Sequence, residues 1–307
     1  MIKTAVIGVG SLGQHHARIL KLHKKSKLKF VVDTDKKRVK KIAKTNETEY
    51  STDFNVILDK IDAAVIAVPT FYHYKITRSL LQHGINCLVE KPFTLNIEEA
   101  EDLIELARDN KLVLQVGHVE RFNPSVVGAV PFVNNPKFIE VNRLGPYDPR
   151  SNHIGVVLDL MIHDLDVLFY FIKSKVVSFE AYGAKIFSNT EDIAKARLRY
   201  ANGCVADVSA SRVSMEKYRK IRIFQPDSYI SINYAEKNFK VYTKKGKITS
   251  LSDIDVTKPK LQSKEPLFYE LDNFINNIIE GRKPSVSGEQ GKNAVELALN
   301  ILKGMVF

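Results

Sequence analysis

Lys91 stands in Glu90-Lys91-Pro92, directly after the apolar run Ile85-Asn86-Cys87-Leu88-Val89. That run reads as a short buried strand, so the lysine falls at a strand's carboxyl end, where open α/β sheets bind their ligands. An ammonium group there can stabilise a developing alkoxide or, with its pKa lowered, take a proton. A second cluster, Asp159-Leu160-Met161-Ile162-His163-Asp164-Leu165-Asp166, follows a helical pattern. Helical spacing makes Asp159 and His163 i,i+4 neighbours and sets Asp166 three residues further along the same face. A carboxylate one turn from an imidazole orients it and raises its basicity, as acid/base chemistry needs. The same pair is also a common surface hydrogen bond, so alone it decides little. Zinc is disfavoured, because two or three ligands on one helix with no second cluster leave the coordination set incomplete.

A nucleotide fingerprint precedes both. Thr4-Ala5-Val6-Ile7 leads into Gly8-Val9-Gly10-Ser11-Leu12-Gly13 and then into a helical pattern through Ala17, Ile19 and Leu20. Gly8 permits the tight turn, Gly10 lets the backbone approach a pyrophosphate, and Gly13 allows close helix-to-strand packing. The phosphates then sit on the helix N-terminus with Ser11 and Leu12, where free N–H groups point outward. A second strand, Leu28 to Val32, ends in Asp33 at the spacing expected of a ribose-binding acid. A carboxylate accepts from a free 2′-hydroxyl and repels a 2′-phosphate, so the expected cofactor is NAD. The neighbouring Lys36-Lys37-Arg38 favours NADP only if those side chains turn inward.

The elements that must position these groups divide the chain near residue 121. Before it, strands at Thr4–Ile7, Leu28–Val32, Ala63–Val68, Ile85–Val89 and Leu112–Val116 alternate with helical stretches, the clearest being Asn96–Asn110. That alternation specifies a doubly wound parallel sheet, a Rossmann domain over residues 1–121. After it, a helix over Leu158–Phe171 is followed by closely spaced strands at Val176–Tyr182, Lys195–Tyr200, Cys204–Ser211, Arg219–Phe224, Ser228–Asn233 and Phe239–Tyr242. Residues 122–307 are therefore expected to form an α+β domain with a mostly antiparallel sheet, closed by helices over Leu267–Glu280 and Gly288–Gly304.

Composition narrows the classes. At 307 residues and 44% hydrophobic, the chain can bury two cores. It contains no apolar run of the ~18 residues a membrane span requires. The net charge is +11, but residues 21–41 hold ten Lys or Arg against Asp33 and Asp35, a local solvated face without interleaved aromatics. Nucleic acid is not an expected partner; a small anionic substrate is compatible with the positive field. Cys87 and Cys204 show neither zinc nor disulfide spacing, and no leader pattern precedes the first strand, so the expected compartment is the cytoplasm.

Taken in order, the glycine fingerprint with His16, Pro69-Thr70 with His73, Glu90-Lys91-Pro92, and Asp159-x-x-x-His163-x-x-Asp166 resemble the glucose-fructose oxidoreductase/inositol dehydrogenase/MocA family along essentially the whole chain. The resemblance implies a Rossmann domain, a C-terminal α/β domain whose open sheet builds a homodimer or homotetramer, and a catalytic group of Lys91, Asp159 and His163. It also implies that Pro69, Thr70, His73, Glu90 and Lys91 border the cofactor. Gly117-His118-Val119-Glu120-Arg121-Phe122, Arg143-Leu144-Gly145-Pro146 and Gly155-Val156-Val157-Leu158-Asp159 are similar to the branch that oxidises C3 of UDP-N-acetylglucosamine, ahead of amination toward a 2,3-diamino sugar of lipid A type.

These residues set the expected mechanism. His163 takes the hydroxyl proton, Lys91 stabilises the alkoxide and Asp159 fixes the imidazole, or Lys91 is itself the base. The substrate would lie in a cleft between the domains, touching Lys91, Asp159 and His163, with Arg121, Arg143 and Arg150 as contacts for a diphosphate. A polyol or free-sugar dehydrogenase would need no such arginines. A non-catalytic NAD-binding regulator is the alternative of another class, and the presence of both Lys91 and His163 argues against it.

Overall fold

The computed structural model describes residues 1–147, 154–234, 236–247, 249–261 and 264–307. The chain forms two compact units, one of residues 1–119 and 264–295, the other of residues 120–263 and 296–307.

In the first unit, six strands pair in the order β3-β2-β1-β4-β5-β6, all parallel: β1 (Ile2–Ile7), β2 (Ser26–Val32), β3 (Glu49–Ser51), β4 (Ala63–Ile66), β5 (Asn86–Glu90) and β6 (Leu114–Gly117). Their apolar runs are buried on both faces because helices α1 (Gly13–Leu22), α2 (Lys36–Asn46), α3 (His73–Gln82) and α4 (Ile97–Asp109) connect them. The division by sequence needs one correction. Helix α7 (Pro266–Glu280) belongs to the first unit, since Leu267, Leu271, Phe274 and Ile275 share a core with Ala17, Leu20 and Val31. An amphipathic helix joins whichever apolar surface it covers, and sequence order does not say which.

In the second unit, nine strands pair in the order β14-β13-β12-β11-β7-β10-β9-β8-β15. They are β7 (Phe138–Leu144), β8 (Val176–Ala184), β9 (Ile193–Tyr200), β10 (Val205–Ser211), β11 (Tyr218–Gln225), β12 (Ser228–Asn233), β13 (Asn238–Lys244), β14 (Ile254–Thr257) and β15 (Met305–Val306). Pairing is antiparallel except between β7 and β10 and between β8 and β15. Central β7 is absent from the sequence reading. Its buried positions are Ile139, Val141 and Arg143, and a charged residue where the alternation demands an apolar one hides the pattern. The helix expected from Leu158 is also different, with a π-helical turn at Val157–Met161 running into α6 (Ile162–Phe171).

Candidate active site

Helix α1 begins without a side-chain cap at Leu12, whereas α2 is capped by Asp35, which accepts from the Lys37 and Arg38 N–H groups. No side chain therefore occupies the α1 start, where an anion can lie, although the Gln14 and His15 N–H groups already donate to the Gly10 and Leu12 carbonyls. Gly8 has φ +85°, and a Cβ on it would lie 2.6 Å from the Ala67 carbonyl; one on Gly13 would lie 1.8 Å from the Gly8 carbonyl. A Cβ on Gly10 would meet nothing within 4 Å, which leaves the approach that a pyrophosphate needs.

Asp33, at the end of β2, accepts from the Val9 N–H at 3.0 Å and the Asp35 N–H at 2.9 Å. It is bound into the fingerprint loop, in the position of a ribose-binding acid. Arg38, half exposed, approaches Asp33 at 3.3 Å. The basic run therefore does turn one side chain toward this corner, but that side chain neutralises the acid. Together these residues fit NAD.

Lys91 follows β5 and is partly buried. Its backbone N–H donates to Glu90 Oε2 at 3.2 Å, and Glu90 Oε1 lies 2.7 Å from His16 Nε2 on α1. A Cβ on Gly117 would come within 3.0 Å of the Glu90 carboxylate, so the glycine makes room for it. Glu270 of α7 joins His16 and Glu90 in a buried group whose ligating atoms lie within 4.8 Å of one another. On the other side His73, the first residue of α3, places Nδ1 2.9 Å from the Pro92 carbonyl and Nε2 2.9 Å from the Val68 carbonyl. Burial pushes the His73 pKa down, with those carbonyls pulling the other way. Pro69 and Thr70 lie between, at the one-turn helix Thr70–Tyr72. Thus Glu90 and His73, expected beside the cofactor, have their polar atoms turned to the polypeptide around Lys91.

In the second unit, Asp159 lies in the π turn and His163 in the first turn of α6, both partly buried. The wider turn alters the stacking a plain α-helix would give, and such turns recur at functional sites. Glu191, buried, anchors the start of this segment: its carboxylate accepts from the Val157 N–H at 3.0 Å and its carbonyl from the Val156 N–H at 3.0 Å. A Cβ on Gly155 would collide with that carboxylate. Nearby, Arg212 pairs with Asp192 at 2.7 Å and donates to the Ile154 carbonyl at 2.6 Å. Three backbone N–H groups at Ile186, Phe187 and Ser188 also reach Asp192. Despite its burial, these donors and Arg212 hold the Asp192 carboxyl far below the usual carboxylate range.

Two sequence expectations, those for Arg121 and Arg143, change here. Asp166, three residues after His163 in α6, is fully buried and pairs with Arg121 through two bonds of 2.6 and 2.8 Å. Arg143 pairs with Asp164 at 2.7 and 2.8 Å and with Glu120 at 3.1 Å, and lies 5.2 Å from the centre of the buried Tyr234 ring. Burial opposes its charge, but Asp164 and Glu120 outweigh that and push its pKa well above the ordinary guanidinium value. Arg121 and Arg143 are 5% and 3% exposed, so they are interior ion pairs rather than groups held out to a diphosphate. Arg150 lies outside the described residues. Sequence reasoning missed Glu191, Asp192 and Arg212, because residues brought together by sheet pairing leave no spacing signal.

Two family models match the chain. Residues 2–118 match the oxidoreductase family with an NAD-binding Rossmann fold, and residues 138–249 match the GFO/IDH/MocA C-terminal domain. A UDP-N-acetylglucosamine 3-dehydrogenase of Acidithiobacillus ferrooxidans is 33% identical over 98% of this chain and 96% of its own. A solved structure of that enzyme superposes with a TM-score of 0.92, covering 99% of this chain and 97% of the other. A myo-inositol 2-dehydrogenase of Thermotoga maritima is 24% identical over 99% of this chain and 96% of its own.

Proposed function

The chain belongs to the Gfo/Idh/MocA family of NAD-dependent dehydrogenases acting on CH–OH groups, and from that premise we propose that it oxidises C3 of UDP-N-acetylglucosamine to the 3-keto sugar. What carries the substrate is the likeness to the Acidithiobacillus enzyme, which extends through both units at 33% identity. The product is an α-amido ketone suited to later amination, toward a 2,3-diamino sugar of lipid A type. A homodimer or homotetramer in the cytoplasm is the assembly we assign, consistent with Cys87 and Cys204 both being free and buried. Among the described residues no helix is long and apolar enough to cross a membrane.

A sugar hydroxyl is too weak an acid to lose its proton unaided, so a base must take it as the hydride leaves. NAD, when bound, accepts that hydride at C4 of its nicotinamide. His163 is the base in this reading, Asp159 orients it, and Lys91 stabilises the alkoxide. The phosphates of NAD would lie on the start of α1 beside Gly8, Gly10, Ser11, Leu12 and Gly13, and its ribose against Asp33.

The second reading, a polyol dehydrogenase, is favoured by the interior placement of Arg121 and Arg143, since a neutral substrate needs no guanidinium. Incubating the protein with NAD and a panel of UDP-sugars and polyols separates the two. NADH formation with UDP-N-acetylglucosamine and little with myo-inositol supports the first reading; the reverse establishes the second.

A further inference from the structure

Strand β11 runs antiparallel to β7, with Arg219 directly opposite Arg143. Side chains opposite one another on neighbouring strands point to the same face. That face is the one α6 covers, because Arg143 reaches Asp164 there. Two guanidinium groups thus stand side by side, an arrangement that is unfavourable unless both are compensated.

Of the two, only Arg143 forms an ion pair among the described residues. Arg121, Arg143, Arg197, Arg199, Arg212 and Arg222 each form an ion pair with a carboxylate of the second unit. Arg219 forms none among the described residues, and its side chain is exposed. Burial of part of the group and the Arg143 charge lower its pKa, while Glu120, Asp164 and Asp159 pull it up. Through Arg143, which reaches Asp164 of α6, the register sets Arg219 on the sheet face that packs against the helix carrying His163.

We propose that Arg219 is the anion-binding residue of the second unit and takes the diphosphate of a nucleotide-linked substrate, the role that the interior ion pairs deny to Arg121 and Arg143. The planar guanidinium presents a fork of donors matched to two phosphate oxygens. An anion there would also relieve the repulsion between the opposed arginines. The diphosphate assignment rests on the nucleotide-sugar reading; the anion site itself does not.

The test is calorimetric titration of the NAD-loaded protein with UDP and with inorganic pyrophosphate, in wild type, Arg219→Gln and Arg219→Lys. The Gln variant should weaken UDP binding about tenfold or more, the scale of a hydrogen bond to a charged group. Lys should fall between, keeping the charge and losing the fork. Because Arg219→Gln removes one of two opposed like charges, its unfolding midpoint should stay at or above the wild-type value, so that a loss of UDP affinity is not a loss of fold. Equal UDP affinity in all three proteins, or binding of neither anion by wild type, overturns the inference. Oxidation of UDP-N-acetylglucosamine with an unchanged KM in Arg219→Gln overturns it while leaving the nucleotide-sugar reading intact. Arg219-dependent UDP binding without oxidation of the UDP-sugar does the opposite.

Discussion

His16 Nε2 lies 2.7 Å from Oε1 of Glu90, with both residues buried. The contact ties α1, whose N-terminus belongs to the nucleotide fingerprint, to the residue immediately before Lys91. Because the other Glu90 oxygen accepts the Lys91 N–H, the path of the lysine backbone is set by the helix on which the cofactor's phosphates would rest. Replacing Glu90 by Gln should therefore lower kcat, by up to about the hundredfold that a misplacement near 1 Å can cost. Affinity for NAD, measured by titration, should change much less. Equal losses in both would make Glu90 a cofactor contact instead.

Lys91→Ala and His163→Ala should each reduce kcat by about a hundredfold or more, since acid/base contributions run ~10² to 10⁴. Asp159→Asn should cost less, because the imidazole stays in place without its orienting charge. Steady-state turnover with bound NAD checked separately distinguishes these cases. Near-normal turnover of His163→Ala would transfer the base role to Lys91.

Asp33, with Arg38 3.3 Å away, is the group proposed to govern cofactor choice. Wild type should bind NAD more tightly than NADP, and Asp33→Ser should narrow the difference by removing the repelling carboxylate and releasing Arg38 toward a 2′-phosphate. Comparative titration with both dinucleotides measures this, and a wild-type preference for NADP would reverse the assignment.

Arg121→Ala and Arg143→Ala should destabilise the protein by roughly 3–5 kcal/mol each, because each leaves a buried carboxylate uncompensated. Chemical denaturation reads the loss directly. If either variant keeps wild-type stability and raises only the KM for a UDP-sugar, its guanidinium serves substrate after all.

His73 gives a pH signature. Its folded pKa is depressed below 6.5, so the unfolded chain binds the proton more readily than the native one. The stability this imidazole contributes is complete above pH 6.5 and is lost as pH falls toward the folded value. Thermal unfolding between pH 8 and 5 should accordingly show a shallower acid slope in His73→Gln than in wild type, whereas parallel slopes would assign the acid sensitivity elsewhere.

The first unit was legible because its glycines, β-branched runs and Asp33 act through neighbours in sequence. Gly8 and Gly13 are required by contacts with Ala67 and with each other's loop, and such turns leave a local signature. Lys91, too, was found from the strand before it. The second unit was less legible, since its site is assembled by pairing between distant strands. Asp166 and His163 have helical spacing, but the helical pattern did not show that Asp166 is buried as the partner of Arg121. Arg219 carries no motif at all; only its register opposite Arg143 singles it out. Helix α7 shows the same limit, because its apolar face was readable and the core it would join was not.

The most direct measurement uses UDP-N-acetylglucosamine carrying deuterium at C3, incubated with the protein and NAD, followed by mass analysis of the reduced nicotinamide and the sugar. The account predicts one deuterium transferred to the nicotinamide and a UDP-linked 3-keto sugar. Reduced cofactor without deuterium would place the oxidation at another carbon, and no reduction with this substrate alongside rapid reduction with myo-inositol would contradict the nucleotide-sugar assignment.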